Sequence, residues 1–228
     1  MAMNKIKGYI FDLDGVIVDT AKYHYNSWRT LANKLGFDIT EEQNENLKGV
    51  SRKESLEYIL SIGGISFSDK EKIKLAELKN SWYVESISNM NDSELLPGAL
   101  NLLKDIKAQK LRISLGSASK NSVRILKSTG IYDMFDAIID GTKTTESKPH
   151  PQVFLMGAEA LKLQPEECVV FEDSINGVKA ANDGGFISIG VGSETTLNHA
   201  NFVLPDLSGT SVKKIEKRIS NMYQILDK

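Results

Sequence analysis

Apolar residues along this chain follow two patterns: short β-branched or aromatic runs, and longer stretches where they recur every three or four residues. Tyr9-Ile10-Phe11 is the first short run, and it ends at Asp12-Leu-Asp14-Gly15, which reads as a strand followed by a turn. From Asp19 to Met90 the pattern is helical throughout. Tyr25, Trp28, Leu31, Ala32 and Leu35 form one stripe that stops at Gly36. The spacing predicts further helices over 41–47, 53–62 and 69–88, with Ser51 and Asp69 as caps of the last two. No strand is predicted in this region.

After Leu96-Pro-Gly98 the pattern alternates. Helices are predicted around Ala99–Ile106 and over 122–128, 152–161 and 175–181, with strands over 111–115, 135–139, 168–171 and 186–189. A short strand near Phe202-Val203 precedes a C-terminal helix. Repeated strand–helix units imply an α/β fold, a doubly wound parallel sheet covered by helices on both faces. The helical stretch interrupts it after the first strand. The expected division is a discontinuous α/β core, 1–18 and 91–228, and an inserted α-helical cap domain, 19–90.

Composition narrows the setting. The 228 residues carry 41% hydrophobic and 25% charged positions with net charge −2, as in an ordinary globular protein. No global field favours nucleic acid or an anionic membrane, so neither is an expected partner. One cysteine, Cys168, reads as a buried strand residue suited to a reducing compartment. Asp12 and Asp14 interrupt any apolar N-terminal region, and no run approaches the ~18 residues of a membrane span. A cytoplasmic monomer is expected.

The polar residues at strand ends carry the chemistry. Asp12 and Asp14 follow the first strand, Ser117 the second, Glu172 and Asp173 the fourth. In a doubly wound sheet such ends can converge on the ligand crevice. Alternation along an extended segment sends Asp12 and Asp14 the same way, suiting a nucleophile and its proton-transfer partner. The acidic cluster offers hard oxygen ligands for Mg²⁺. Ser117, with the amides of Ala118 and Ser119 ahead of a helix, suits an anion, and Lys148 before Pro149 adds a cation. These are the parts of phosphoryl transfer. Each has a plainer alternative: an ordinary turn for Asp12-Leu-Asp14-Gly15, a helix cap for Ser117, a solvated loop residue for Lys148. Ser117-Ala-Ser-Lys120 also matches a Ser-x-x-Lys string, but its companion strings are absent.

In this order the motifs resemble those of the haloacid dehalogenase superfamily of phosphotransferases, and the helical insert resembles its small α-helical cap. More narrowly, the chain is similar to the superfamily's glucose-phosphate mutases. That likeness rests on Asp19-Thr-Ala21, Tyr23-His24, Leu47-Lys-Gly-Val-Ser-Arg52, Ser117-Ala-Ser-Lys-Asn121, Ser147-Lys-Pro149 and Glu172-Asp-Ser174, and it runs from the first strand to Gly192. The resemblance implies that Asp12 is phosphorylated and Asp14 is the general acid and base. Mg²⁺ would be held by Asp12, the Asp14 carbonyl, Glu172 and Asp173. Ser117, Ala118 and Lys148 would hold the transferring phosphate, and Arg52, Ser119, Lys120 and Asn121 the second one. His24 and Lys79 would set Asp14, Thr20 would sit at the hinge, and Lys48, Gly49 and Trp28 near the sugar. Trp28 also lies on the apolar stripe, and His24 reads equally as a satisfied surface histidine. Asn80-Ser-Trp-Tyr83 departs from the family pattern.

The activity implied is interconversion of β-glucose 1-phosphate and glucose 6-phosphate, with β-glucose 1,6-bisphosphate as intermediate and activator. Each phosphate of such a molecule carries roughly −1.5 to −2 of charge, so the end far from Mg²⁺ and Lys148 needs its own cations. Arg52 can grip a phosphate in bidentate fashion. A Mg²⁺-dependent sugar-phosphate phosphatase is the alternative on the same scaffold. A receiver-like phospho-switch is more remote, because such modules lack the insert and use an Asp on a later strand.

Overall fold

In the computed structural model, residues 5–226 are described. Six parallel strands form one sheet: β1 (Gly8–Phe11), β2 (Arg112–Gly116), β3 (Ala137–Ile139), β4 (Cys168–Glu172), β5 (Ile187–Val191) and β6 (Phe202–Leu204). Their order is β3-β2-β1-β4-β5-β6. Parallel neighbours require crossover connections, and these carry α5 (Ala99–Ala108), α6 (Ser122–Ser128), α7 (Gln152–Leu161) and α8 (Ile175–Asp183), while α9 (Val212–Leu226) closes the chain. Side chains alternate between the two covered faces. Tyr9, Phe11, Val169 and Phe171 enter one apolar cluster with residues of α5 and α9; Ile10 and Val170 enter the other with Phe154, Ala158 and Ala180. This is the expected α/β architecture.

The chain steps from β1 outward to β2 and β3, then returns to β4 on the other side of β1. A switch point of this kind leaves a crevice beyond the carboxyl ends of the central strands, here β1 and β4. The parallel stack of Phe11 on Phe171, centroids 4.6 Å apart, holds these two ends side by side.

Between β1 and α5 lie α1 (Ala21–Lys34), α2 (Glu41–Glu45), α3 (Arg52–Gly63) and α4 (Asp69–Ser86). They have their own apolar cluster, built on Trp28, Leu31, Ala32, Ile39, Leu56, Ile59 and Leu60. Each such buried Leu or Ile stabilises by about 1.5–3 kcal/mol relative to exposure. Ser51 caps α3 in a capping box with Glu54. The cap of α4 is Ser68, not Asp69: Ser68 has extended backbone, its N–H donates to the Glu71 carboxylate (2.9 Å), and Asp69 is already helical.

Two features were not anticipated. Residues 13–18 fold into a small flap, in which Gly15 N–H donates to the Val18 carbonyl and Val18 pairs with Leu95. Val16, Ile17 and Val18 are fully buried there. The far end of α4 also leaves the helical cluster, because Tyr83 and, just past the helix, Ile87 pack into the sheet's own core.

Candidate active site

Asp12 follows β1 directly, and its N–H donates to the Phe171 carbonyl of β4 (3.0 Å). The Lys148 ammonium lies 2.5 Å from Asp12 Oδ1 and 2.7 Å from Glu172 Oε2, over the Phe154 ring. It is 2% exposed, so the solvated-loop alternative fails. The loop that delivers it is braced by Gln152 Oε1, which accepts from the N–H groups of Thr145 and Glu146 (2.9 Å each). The other Glu172 oxygen accepts from the Ser174 hydroxyl (2.7 Å) and from the Asp173 and Ser174 amides. Burial works against the Lys148 charge, yet Asp12 and Glu172 keep its pKa above the usual lysine range. The Asp12 carboxyl is pushed well up by burial and by the Glu172, Asp14 and Asp173 charges, with Lys148 opposing.

Donor atoms of Asp12, Glu172 and Asp173 all lie within 4.8 Å of one another. Burial and the Glu172 charge raise Asp173 to about 7, against Lys48 and Lys148. Carboxylate oxygens in excess over lysine are the donor set of a hard divalent cation, and they fit Mg²⁺. Two glycines make room for them. At Gly15 (φ +82) a Cβ would come 2.1 Å from Asp173 Oδ2, and at Gly177 2.0 Å from the Glu172 carboxyl carbon. Asp14 stands apart from this trio, its carboxylate accepting from the Thr20 hydroxyl. Thr20 precedes α1 but makes no side-chain cap bond to it. Burial raises the Asp14 pKa, opposed by Thr20, Lys148 and Lys79.

Above the strand ends is a cavity of about 110 Å³ roofed by the inserted helices. Asp12, Asp14 and Asp173 reach it from the sheet side together with Ala118, Ser119 and Lys120. Thr20, His24, Trp28, Lys48, Gly49, Arg52 and Lys79 reach it from the insert. Lys79 is buried, 3.2 Å from His24 Nδ1, with its ammonium over the Trp28 and Tyr83 rings. Burial and Arg52 lower it from 10.5 to about 7, while Asp14 opposes. Burial, Lys79 and Arg52 hold His24 well below its ordinary value, so its neutral ring can accept from Lys79. Trp28 is both a core residue and a cavity wall. Lys48 pairs with Glu45 (2.8 Å) and Asp173 (3.1 Å). Arg52 makes no hydrogen bond or ion pair among the described residues, and burial lowers its pKa.

Ser117, Asn121, Lys148 and Glu172 do not line this cavity. Lys148 and Glu172 lie beneath it, tied to Asp12 as described. Lys148 also faces a second cleft of about 620 Å³, which shares Arg52, Ala118 and Lys120 with the first. The Ser117 hydroxyl accepts from the Ser119 N–H (3.1 Å). Helix α6 starts five residues later with Asn121 at its N-cap, so Ser117 is not a helix cap. Sequence reasoning missed Asn44, Ser55, Asn80 and Tyr83, which also line the cavity. Asn80 and Tyr83 flank Lys79 on α4, and that proximity was the available signal.

The sheet order, the strand-end carboxylates and the helical insert define a class. This chain belongs to the haloacid dehalogenase-like hydrolase family, whose model matches residues 9–191. Within it, the chain is 37% identical to the β-phosphoglucomutase of Bacillus subtilis over 93% of its length and 95% of the relative's. The crystal structure of a β-phosphoglucomutase from Clostridium difficile superposes with a TM-score of 0.92 at 44% identity, covering 96% of this chain and 99% of that one. A phosphorylated carbohydrates phosphatase of Thermotoga maritima is 26% identical over 97% of this chain and all of its own length. Among the described residues, no helix is long and apolar enough to cross a membrane.

Proposed function

We propose that this chain interconverts β-glucose 1-phosphate and glucose 6-phosphate through phospho-Asp12 and β-glucose 1,6-bisphosphate. One observation carries the reading. The cavity is lined on the sheet side by Asp12 and Asp173, with Glu172 beneath them, and on the insert side by Arg52, half-buried and ion-paired to no anion among the described residues. A bisphosphate supplies that anion, whereas a monophosphate bound over Asp12 leaves Arg52 uncompensated. The likeness to β-phosphoglucomutases of two organisms points the same way.

In this reading an Asp12 oxygen attacks the bisphosphate's phosphorus. The bond from phosphorus to the sugar oxygen breaks, and Asp14 gives that oxygen its proton. In the reverse direction Asp14 takes the proton of the entering hydroxyl. A carboxyl raised by burial is suited to carrying that proton, and Thr20 orients it. Lys148 neutralises charge beside Asp12, and Ser117 and Ala118 steady the transferring phosphate. Mg²⁺, held by Asp12, Glu172, Asp173 and the Asp14 carbonyl, would supply further charge neutralisation. Arg52, Ser119, Lys120 and Asn121 take the distal phosphate, with Trp28, Lys48 and Gly49 about the sugar. Residues 19–90 act as the cap over a core of 1–18 and 91–228. A monomer working in the cytoplasm completes the proposal.

The test supplies β-glucose 1-phosphate, Mg²⁺ and a trace of bisphosphate. Catalytic formation of glucose 6-phosphate supports the reading, and stoichiometric release of phosphate without it rejects the reading. The second outcome would fit a phosphatase like the Thermotoga relative.

A further inference from the structure

Asn80 holds a place that neither the carboxylate cluster nor the cations explain. It follows Lys79 on α4, is half-buried and lines the cavity. Its Oδ1 accepts a 3.0 Å hydrogen bond from Asn121 Nδ2, on the sheet side of the cavity. Asn121 stands at the N-cap of α6, where an asparagine side chain ordinarily accepts from its own helix's amides. It makes no such bond, and its amide reaches across to α4 instead. The loop behind it is braced from within: Asn121 N–H donates to Ser119 Oγ (3.2 Å) and Ser119 N–H to Ser117 Oγ (3.1 Å). A second tie between insert and sheet at the cavity is ionic, through Lys48 and Asp173.

We infer that Asn80 is a positioning residue: its side-chain carbonyl draws Asn121 and the 117–121 loop against α4 and so keeps water from phospho-Asp12. This rests on the reaction proposed above. Phospho-Asp12 has two fates. A sugar hydroxyl forms the new bond to phosphorus as the Asp12–phosphorus bond breaks, or a water oxygen does so and inorganic phosphate leaves. In either case Asp14 takes the proton. Closing the seam between α4 and the loop removes the second fate without touching the reacting atoms. The link is a neutral amide pair, so salt does not screen it as it screens the half-buried ion pair of Lys48 with Asp173.

The direction of the bond sets the experiment. Asn80→Ala leaves the Asn121 donor unpaired, while Asn80→Asp retains an acceptor at the same place. The measurement is phosphate released per glucose 6-phosphate formed. Asn80→Ala raises this ratio about tenfold, the effect of one hydrogen bond of ordinary strength. Asn80→Asp keeps the ratio near that of the unaltered protein but raises KM for the bisphosphate, because its carboxylate faces an anion. An unchanged ratio in Asn80→Ala, or an equal rise in both variants, overturns the inference. If the unaltered protein releases only phosphate, the proposed reaction is what fails. The lifetime of phospho-Asp12 loaded from acetyl phosphate then decides: shorter in Asn80→Ala than in Asn80→Asp supports the role of Asn80, and equal lifetimes reject it.

Discussion

The two walls of the cavity are built on opposite electrostatic plans. On the sheet side, Asp12, Glu172 and Lys148 are buried against one another at 2.5 and 2.7 Å, and nearly every polar atom has a partner. On the insert side, Lys79 is lowered to about 7, and Arg52 forms no ion pair among the described residues, with burial outweighing the Glu77 charge that acts on it. The sheet wall is a finished network waiting for a cation, and the insert wall carries positive charge waiting for an anion. A buried charge without a partner is expensive, so the insert wall is the part of the fold that ligand binding stabilises. In the proposed reaction the chemistry sits on the sheet wall, and the choice of acceptor on the insert wall.

Four substitutions test that contrast. Asp12→Asn removes the proposed nucleophile and should lower turnover by roughly 10⁴-fold or more, with no phosphoenzyme detectable by mass spectrometry. Lys148→Met should destabilise the fold by about 3–5 kcal/mol, because it strands buried carboxylates. Urea unfolding in EDTA reads this loss, and added Mg²⁺ should recover part of it. An unaltered midpoint would show that the sheet wall is no network at all. Arg52→Ala should weaken bisphosphate binding by roughly 10–100-fold, the loss of one charge-assisted contact, while acetyl phosphate still phosphorylates Asp12 at the unaltered rate. Equal losses on both donors would mean Arg52 does not separate the two ends.

The smallest effect is a pH dependence. The Lys79 pKa falls on folding, so between about 7 and its ordinary value the unfolded chain binds more protons than the fold. Stability therefore rises with pH through that window. The window from pH 7.5 to 8.5 lies above the value of Asp173, and Asp12, which burial also raises, acts there with the opposite sign in both proteins, so the difference from Lys79→Met isolates the Lys79 contribution. The urea midpoint should climb there, and Lys79→Met should flatten it. A variant that keeps the slope would assign it to another group.

Two helix starts show how the site departs from local rules. Thr20 and Asn121 occupy N-cap positions, and neither caps its helix. Thr20 donates to Asp14 and Asn121 to Asn80. Ser51 and Thr40, away from the reacting atoms, cap in the ordinary way. Local preference predicted the helices, and tertiary contact redirected the side chains where the cavity needed them.

Period and punctuation were enough to reach the doubly wound sheet, the helical insert and the strand ends bearing Asp12, Asp14, Ser117, Glu172 and Asp173. Both are local properties: apolar alternation, β-branched runs, and Gly or Pro breaks act within a few residues. Roles for Arg52, Lys79 and Asn121 came from motif resemblance rather than pattern, because a cation on a helix looks the same whether it faces solvent or a cavity. What only the folded chain decided was which charges met. Lys148 joined Asp12 across 136 residues of sequence and Asn80 met Asn121, while Arg52 forms no ion pair among the described residues. Such pairings depend on how the loop after β3 is set against the end of β1, and α4 against the loop after β2, and no spacing within any one of these segments encodes that distance.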